Sequence, residues 1–273
     1  MENLKFSVSM SVYKNDNPEH FKTAVESILN QTVKPDEVVL VVDGPVGKEL
    51  DEVIKSFEVN DIFKVIRLPE NKGLGNALKV SCENASFDYI ARMDADDISA
   101  PTRFEQQISY LQENPDIDVI GGDITEFINT PDNIVGTRTV PKTDSEIKEY
   151  LKVRCPLNHV SVMIKKSALE KSGGYKDWFC NEDYYLWIRM LLSGSNFANT
   201  GTPLVNVRVG EEMYSRRGGL KYFKSEAGIQ KLMLQEKIIT YPTYLVNVMK
   251  RLIIQVLLPN SIRGWVFKKF ARE

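Results

Sequence analysis

Seven consecutive residues, Glu37-Val-Val-Leu-Val-Val-Asp43, restrict the fold more than any other part of this chain. A run of aliphatic, mostly β-branched residues without polar alternation must be covered on both faces. That is the setting of a central strand in a parallel sheet. The run stops at Asp43-Gly44-Pro45, a turn. Comparable units stand on either side of it. Phe6 to Tyr13 alternates apolar with small polar residues and reads as a strand. Asn17-Pro18-Glu19 starts a helix, with a capping side chain followed by proline at the first position. Phe21, Ala24, Val25, Ile28 and Leu29 then share one helical face. Leu50, Val53, Ile54 and Phe57 mark a second helix, and Phe63 to Leu68 a third strand. The loop Pro69-Glu-Asn-Lys-Gly-Leu-Gly75 leads into a helix with Leu74, Ala77 and Leu78 inward, and Tyr89 to Asp94 is the fourth strand. Such regular alternation predicts an α/β fold with a doubly wound, mostly parallel central sheet flanked by helices.

In sheets of this kind ligands bind beyond the carboxyl ends of the strands. Tyr13, Asp43 and Asp94 all fall at such ends, so they are expected to converge on one crevice. The fourth strand runs out into Asp94-Ala95-Asp96-Asp97, three carboxylates within four positions. Close carboxylates raise each other's pKa unless a cation compensates. An oxygen-only cluster at a strand end is either a seat for a hard divalent ion, Mg²⁺ or Mn²⁺, or a solvated acidic turn capping the next helix.

The second half is less regular. A helix is expected from Pro101 to about Asn114, with Phe104, Ile108 and Leu111 inward. Strands are expected over Asp118 to Asn129, Ile134 to Val140 and Val160 to Lys165. Thr143-x-x-Glu146 has the form of a capping box. Glu182 to Leu192 reads as a helix with two acidic residues in its first turn, and Gly173-Gly174-Tyr175 as a turn.

Composition excludes several classes. A formal net charge of −2 argues against a nucleic-acid binder. Cys82, Cys155 and Cys180 are odd in number, widely spaced and without CxxC, which fits reduced thiols in the cytoplasm. His20 and His159 are the only histidines, too few for a multi-histidine metal site. Met-Glu-Asn-Leu-Lys runs straight into a strand without an apolar h-region. Gly73-Leu-Gly75 lacks the third glycine of a dinucleotide fingerprint, where Leu78 stands, and no Gly-x-Ser-x-Gly elbow is present. A sugar nucleotidyltransferase should carry a glycine-rich loop after the first strand, but Tyr13-Lys-Asn-Asp-Asn17 has no glycine. A catalytically inactive scaffold has no chemical reason to keep Asp94, Asp96 and Asp183.

From Thr240 to Glu273 the chain carries six basic residues (Lys250, Arg251, Arg263, Lys268, Lys269, Arg272) and one acidic residue. Between Tyr244 and Leu258, Asn247, Lys250, Arg251 and Gln255 form a polar stripe on a wide apolar face. Pro259-Asn260-Ser261 breaks the helix, and Ile262, Trp265, Val266 and Phe270 continue the apolar side. Two readings stand: an in-plane membrane anchor, or a helix packed on the domain core or on a second subunit.

Ser11-Val12-Tyr13, Val42-Asp43-Gly44, Asn71-x-Gly73, Asp94-Ala95-Asp96-Asp97 and Glu182-Asp183 before Leu186-Trp187 stand in one order along the chain. On these motifs the chain resembles bacterial family-2 glycosyltransferases with the GT-A fold. More narrowly, it resembles the subgroup that builds capsule, O-antigen and amylovoran-type exopolysaccharide. The resemblance spans roughly residues 6 to 215. It implies a catalytic domain over 1–237, with a nucleotide-binding half (1–98) and an acceptor half (99–237), followed by a basic amphipathic tail (238–273).

The resemblance further implies a metal-dependent, inverting transfer of galactose, glucose or N-acetylglucosamine from a UDP-sugar to a saccharide or lipid-diphosphate-saccharide acceptor. Ser11, Tyr13 and Asp43 would hold the nucleoside, with Asp43 accepting the uracil N–H. Asp96 would coordinate the metal, with Asp94 nearer the ribose and sugar. Asn71 and Gly73 would shape the loop beside the donor, and Arg92 would contact donor sugar or phosphate. Asp183 would be the general base and Glu182 would position the acceptor. His159 is read either as a residue near the acceptor or as a buried structural histidine. Arg208, Arg216 and Arg217 would close over a diphosphate. The expected location is the cytoplasm, peripheral on the inner membrane, and a homodimer is compatible with the tail.

Overall fold

The structure is a computed structural model, and it describes residues 4–210 and 218–258. Arg216, Arg217 and the segment from Pro259 onward lie outside the described residues. Four parallel strands form one half of the sheet: β1 (Phe6–Val12), β2 (Glu37–Val42), β3 (Phe63–Arg67) and β4 (Tyr89–Met93). The helices between them are α1 (Pro18–Leu29), α2 (Lys48–Glu58) and α3 (Leu74–Asn84). The unbroken apolar run behaves as its composition requires, since Val38 to Val42 are all buried. Val38, Leu40 and Val42 face α1 and α2, while Val39 belongs to the cluster on the opposite side with Leu78 of α3. Helix α1 starts where its cap predicts: Asn17 Oδ1 accepts from the backbone N–H groups of Glu19 (2.9 Å) and His20 (3.1 Å).

Beyond β4 the sheet changes character. Along it the order is β3-β2-β1-β4-β8-β6-β9-β5, with β7 pairing to β6 at the side. Here β5 is Ile98–Ser99, β6 Val119–Phe127, β7 Ile134–Arg138, β8 Met163–Lys165 and β9 Phe197–Arg208. Strand β8 runs antiparallel to both β4 and β6, and β9 runs parallel to β6. The remaining helices are α4 (Arg103–Glu113), α5 (Asp144–Leu151), α6 (Lys166–Lys171), α7 (Glu182–Leu192), α8 (Leu220–Gln235) and α9 (Tyr241–Leu252). Thr143 and Glu146 form the capping box that their spacing predicts.

Several elements depart from the sequence reading. The expected strand from Val160 begins instead with a 3₁₀ turn, His159–Ser161, before β8. Ser161 Oγ donates to Asn158 O at 2.8 Å, winding the chain locally. Strand β9 escapes the alternation test because Asn199-Thr-Gly-Thr-Pro203 interrupts it. The pairing with β6 shifts register at that point, around Gly121 and Asp123. A β-carbon on Gly122 would lie 2.6 Å from Leu204 of β9, so this crossing needs a glycine. Arg103 and Gln107 of α4 join the core beside Phe104 and Ile108, although both are polar.

Candidate active site

The parallel register builds one edge. Val12 pairs with Val42, and Met10 with Met93, so the residues that follow β1, β2 and β4 emerge side by side. Ser11, Tyr13, Asp43, Asn71, Gly73, Asp94 and Asp96 all line a cleft of about 550 Å³. Strand pairing brings Ser11, Tyr13, Asp43, Asp94 and Asp96 together, and hydrogen bonds with Asp43 add Asn71 and Gly73.

Asp43 organises the floor. Its two carboxylate oxygens accept the backbone N–H groups of Lys72 (2.8 Å) and Gly73 (2.9 Å), while Asn71 Nδ2 donates to the Asp43 carbonyl at 3.1 Å. Each carboxylate oxygen keeps a second lone pair. Gly44 has φ +85°, and a β-carbon there would sit 2.6 Å from the Asn71 nitrogen. The Asp43-Gly44 pair therefore sets how closely the 69–75 loop approaches the sheet edge.

The acidic turn after β4 is anchored from beneath. Arg92, buried in β4, forms an ion pair with Asp94 through Nη2 and Oδ1. Its Nε and Nη1 are buried without a hydrogen-bond partner. Arg103 lies below it, donating to Arg92 O (2.8 Å) and Gln107 Oε1 (3.1 Å). Burial, then the neighbouring Arg92 charge, pushes the Arg103 guanidinium down to about 9. Asp97 accepts the backbone N–H of Arg208 at 2.8 Å. Arg208 also donates to Asp96 O (3.2 Å) and Asn129 O (3.1 Å), and its guanidinium stacks on Phe127. It therefore straps the turn to the end of β9.

Asp16 is a fourth carboxylate that the sequence reading missed. Its Oδ2 accepts the Tyr13 N–H at 2.9 Å, which places it in the cleft within range of Asp94 and Asp96. Three residues after Tyr13 in a polar loop is the spacing of a side chain that closes its own turn, and that was the available signal. His20, also unassigned from sequence, lines the same cleft, its proton affinity lowered by burial and by Arg208.

Burial and mutual repulsion act on all these acids. Asp96 is pushed up to about 6 by burial and Asp94, against Arg92 and Arg208. Asp16 is pushed up to about 7 by burial, then by Asp96 and Asp94, against the Tyr13 bond. Asp97 is raised well above the carboxylate range by burial, Asp94 and Asp96. Such an excess of negative charge is relieved by a cation. Asp94 is already paired with Arg92 and Asp97 with Arg208 N, which leaves the Asp96 carboxylate without a side-chain partner among the described residues. No three His, Cys, Asp or Glu side chains among those residues are grouped to enclose a metal. The donor set fits Mg²⁺ or Mn²⁺ held by one or two carboxylates, with most of its shell from water and phosphate oxygens.

Glu182 and Asp183 open α7 and are not among the residues lining the 550 Å³ cleft. Glu182 Cβ lies 3.7 Å from where a β-carbon on Gly75 would stand, next to Leu74 of the cleft wall. Its carboxyl is pushed up to about 7 by burial, then by Asp183, with Asp94 adding and Arg92 opposing. The Asp183 carboxylate accepts the Tyr184 N–H (2.7 Å) and the Cys155 S–H (3.5 Å). His159 stands apart from the cleft lining. Its Nε2 bonds Tyr175 Oη at 2.8 Å and its ring meets the edge of Trp187. Burial and then Arg92 hold its proton affinity well below the ordinary value, so the ring is neutral.

One turn of α8 fixes the segment that leads into Glu182. Ser225 Oγ donates to Phe179 O (2.5 Å) and accepts from Asn181 Nδ2 (3.1 Å), while Ser225 O accepts the Trp178 indole N–H (3.2 Å). A β-carbon on Gly228 would lie 3.0 Å from the Trp178 ring. No sequence period marks these contacts.

Known proteins resemble this chain in sequence and fold. The family profile described as "Glycosyl transferase family 2" matches residues 7–178. The chain is 37% identical over 269 residues to the UDP-Gal:alpha-D-GlcNAc-diphosphoundecaprenol beta-1,3-galactosyltransferase of Escherichia coli, covering 98% of this chain and 97% of that one. It is 35% identical over 232 residues to the amylovoran biosynthesis glycosyltransferase AmsE of Erwinia amylovora, covering 85% and 86%. The crystal structure of S. aureus TarS 1-349 in complex with UDP-GlcNAc superposes with a TM-score of 0.68 at 15% identity, over 97% of this chain and 79% of that one. That likeness establishes the GT-A-type fold. With the profile match spanning the strand ends that line the cleft and the relatives aligned across most of their lengths, the chain belongs to glycosyl transferase family 2.

Proposed function

We propose that this chain transfers a hexose from a UDP-sugar to a saccharide carried on a lipid diphosphate, with inversion at the anomeric carbon. The observation that carries this reading is the meeting of two acidic groups from distant parts of the sequence. Asp94 and Asp96 stand on the nucleotide edge, and Glu182 approaches closely enough for the Asp94 charge to act on it. The Escherichia coli relative, by its name, uses UDP-Gal and a diphosphoundecaprenol-linked acceptor. Galactose therefore heads the candidate donors, ahead of glucose and N-acetylglucosamine.

Ser11 and Tyr13 flank the nucleoside, and the free lone pairs of Asp43 accept the uracil N–H. Arg92 offers its unpartnered N–H groups toward the donor sugar or phosphate. Asp96, with Asp94 beside it, would hold Mg²⁺ or Mn²⁺, which when bound stabilises charge on the departing diphosphate. The acceptor hydroxyl approaches the anomeric carbon from the face opposite UDP. Asp183 takes its proton as the new C–O bond forms and the bond from carbon to the UDP oxygen breaks. Both Asp183 oxygens already hold a hydrogen bond, which fixes the carboxylate orientation, and Glu182 beside it contacts the acceptor. A lipid-linked acceptor is confined to a membrane, so the enzyme works at the cytoplasmic face, where it meets UDP-sugars.

The test is UDP release from UDP-galactose, UDP-glucose and UDP-N-acetylglucosamine, each with lipid-diphosphate mono- and oligosaccharides, with and without EDTA. Acceptor-dependent, EDTA-sensitive release with one donor, and a product of inverted anomeric configuration by NMR, is expected. No acceptor-dependent release across the panel would overturn the reading.

A further inference from the structure

Helix α9 and the π-helical turn after it, Ile253–Leu257, carry two stripes of period four on opposite sides. Asn247, Arg251 and Gln255 form the polar stripe, and all three point into the protein. Asn247 Nδ2 donates to Lys152 O (3.0 Å) and Gln230 Oε1 (2.8 Å). Arg251 donates to Glu226 Oε2 (2.6 Å) and Val153 O (2.9 Å), and Gln255 Nε2 to Glu226 Oε2 (2.9 Å). Tyr241, Leu245, Met249, Ile253 and Leu257 form the apolar stripe, and they are 44 to 66% exposed. This is the reverse of a surface helix in a globular protein, which turns its apolar side inward. A spacing of four drifts by about 40° per step around an α-helix. The wider π turn drifts the other way and keeps Gln255 under Arg251. The inversion is therefore specified by side-chain bonds on the inner face and by the backbone.

We propose that this outward stripe is a docking surface for an anionic lipid bilayer, on which the helix lies in the plane; the need for such a surface rests on the lipid-linked acceptor proposed above. Charge decides between a bilayer and a second copy of the chain. Lys250 is exposed next to the stripe. The residues that follow, 259–273, carry Arg263, Lys268, Lys269 and Arg272 against Glu273 alone, in a chain of net charge −2. So many basic residues close in sequence to the stripe favour anionic headgroups over a second copy of the chain, which carries the same charges. Among the described residues no helix is long and apolar enough to cross a membrane, so the contact is in-plane.

The full chain is sedimented with vesicles of phosphatidylglycerol and phosphatidylethanolamine, and separately with phosphatidylcholine vesicles, in the absence of donor and acceptor. Binding to the anionic vesicles, weakened by salt, is expected. It should fall about tenfold or more in the triple variant Leu245→Glu/Met249→Glu/Ile253→Glu with an unchanged melting temperature. Equal binding of the variant, no preference for anionic vesicles, or a concentration-dependent dimer that the variant abolishes would overturn the proposal. If the variant does not fold, the lipid and salt dependence of the unaltered protein still decides. Sugar transfer plays no part in the assay, so its outcome and that of the transferase test are separable.

Discussion

The two acidic groups that flank the crevice are held by different means. Asp94 to Asp97 continue a central strand, and their support is the sheet itself: Arg92 and Arg103 from below, and Arg208 at the end of β9. Glu182 and Asp183 start a helix whose lead-in, 178–181, belongs to no strand. Trp178, Phe179 and Asn181 are tethered by hydrogen bonds that all converge on Ser225 of α8, beyond the matched family profile, with Gly228 against the Trp178 ring and Lys221 over Phe179. The strand-end acids, braced by three separate arginines, should therefore tolerate the loss of one support. The acids at the start of α7 should respond to a single change in α8.

The largest effect is expected from Asp96→Ala, which should lower turnover by on the order of 10³-fold and abolish manganese-dependent UDP binding. Unchanged UDP affinity in calorimetry would remove Asp96 from the metal site. Asp183→Asn comes next. It should lower kcat by on the order of 10² while UDP-sugar binding is retained, and near-normal turnover would exclude Asp183 as base. Ser225→Ala tests the asymmetry directly. Removing its two hydrogen bonds, of about 1 kcal/mol each, should lower kcat roughly thirtyfold with donor affinity untouched. A matching loss of UDP affinity would mean that the two sides are not held independently.

The smallest effect concerns pH. Burial and Asp183 raise the Glu182 carboxyl from its ordinary value of 4.5 to about 7 in the fold. Below pH 4.5 it is neutral in both folded and unfolded chains and costs nothing. Between 4.5 and 7 the unfolded chain ionises first, so folding stability drains away as pH rises. Glu182→Gln should therefore melt with the unaltered protein at pH 4 and above it at pH 8. Parallel melting curves across that range would place Glu182 in water.

What could be read from sequence follows the same division. Residues fixed by backbone periodicity were legible: β1 to β4, Asn17 as a cap, and Tyr13, Asp43 and Asp94 at strand ends, while Ser11, Asn71 and Gly73 entered through the family resemblance. Asp16 and His20 were not, because a short polar loop carries no period. Arg103 was read past because charge at a helix start suggests solvent, whereas here it is buried against backbone carbonyls. Strand β9 was lost to its internal bulge. The polar stripe of α9 was seen, but its direction was not, since amphipathicity gives two faces and not which of them looks inward. Only the partners Glu226, Gln230 and Lys152 O decide that.

Arg103 constrains how this sequence can diverge. Its guanidinium serves Arg92 O, Val162 O and Gln107 together, three groups drawn from a strand, a turn and its own helix. A leucine there would strand those acceptors, at about 1–3 kcal/mol for each left unsatisfied. Of these partners only Gln107 is a side chain, and its own amide donates to Ile120 O and Ser161 O, so positions 103 and 107 should exchange together, whereas the carbonyls of Arg92 and Val162 leave the side chains there unconstrained by this contact.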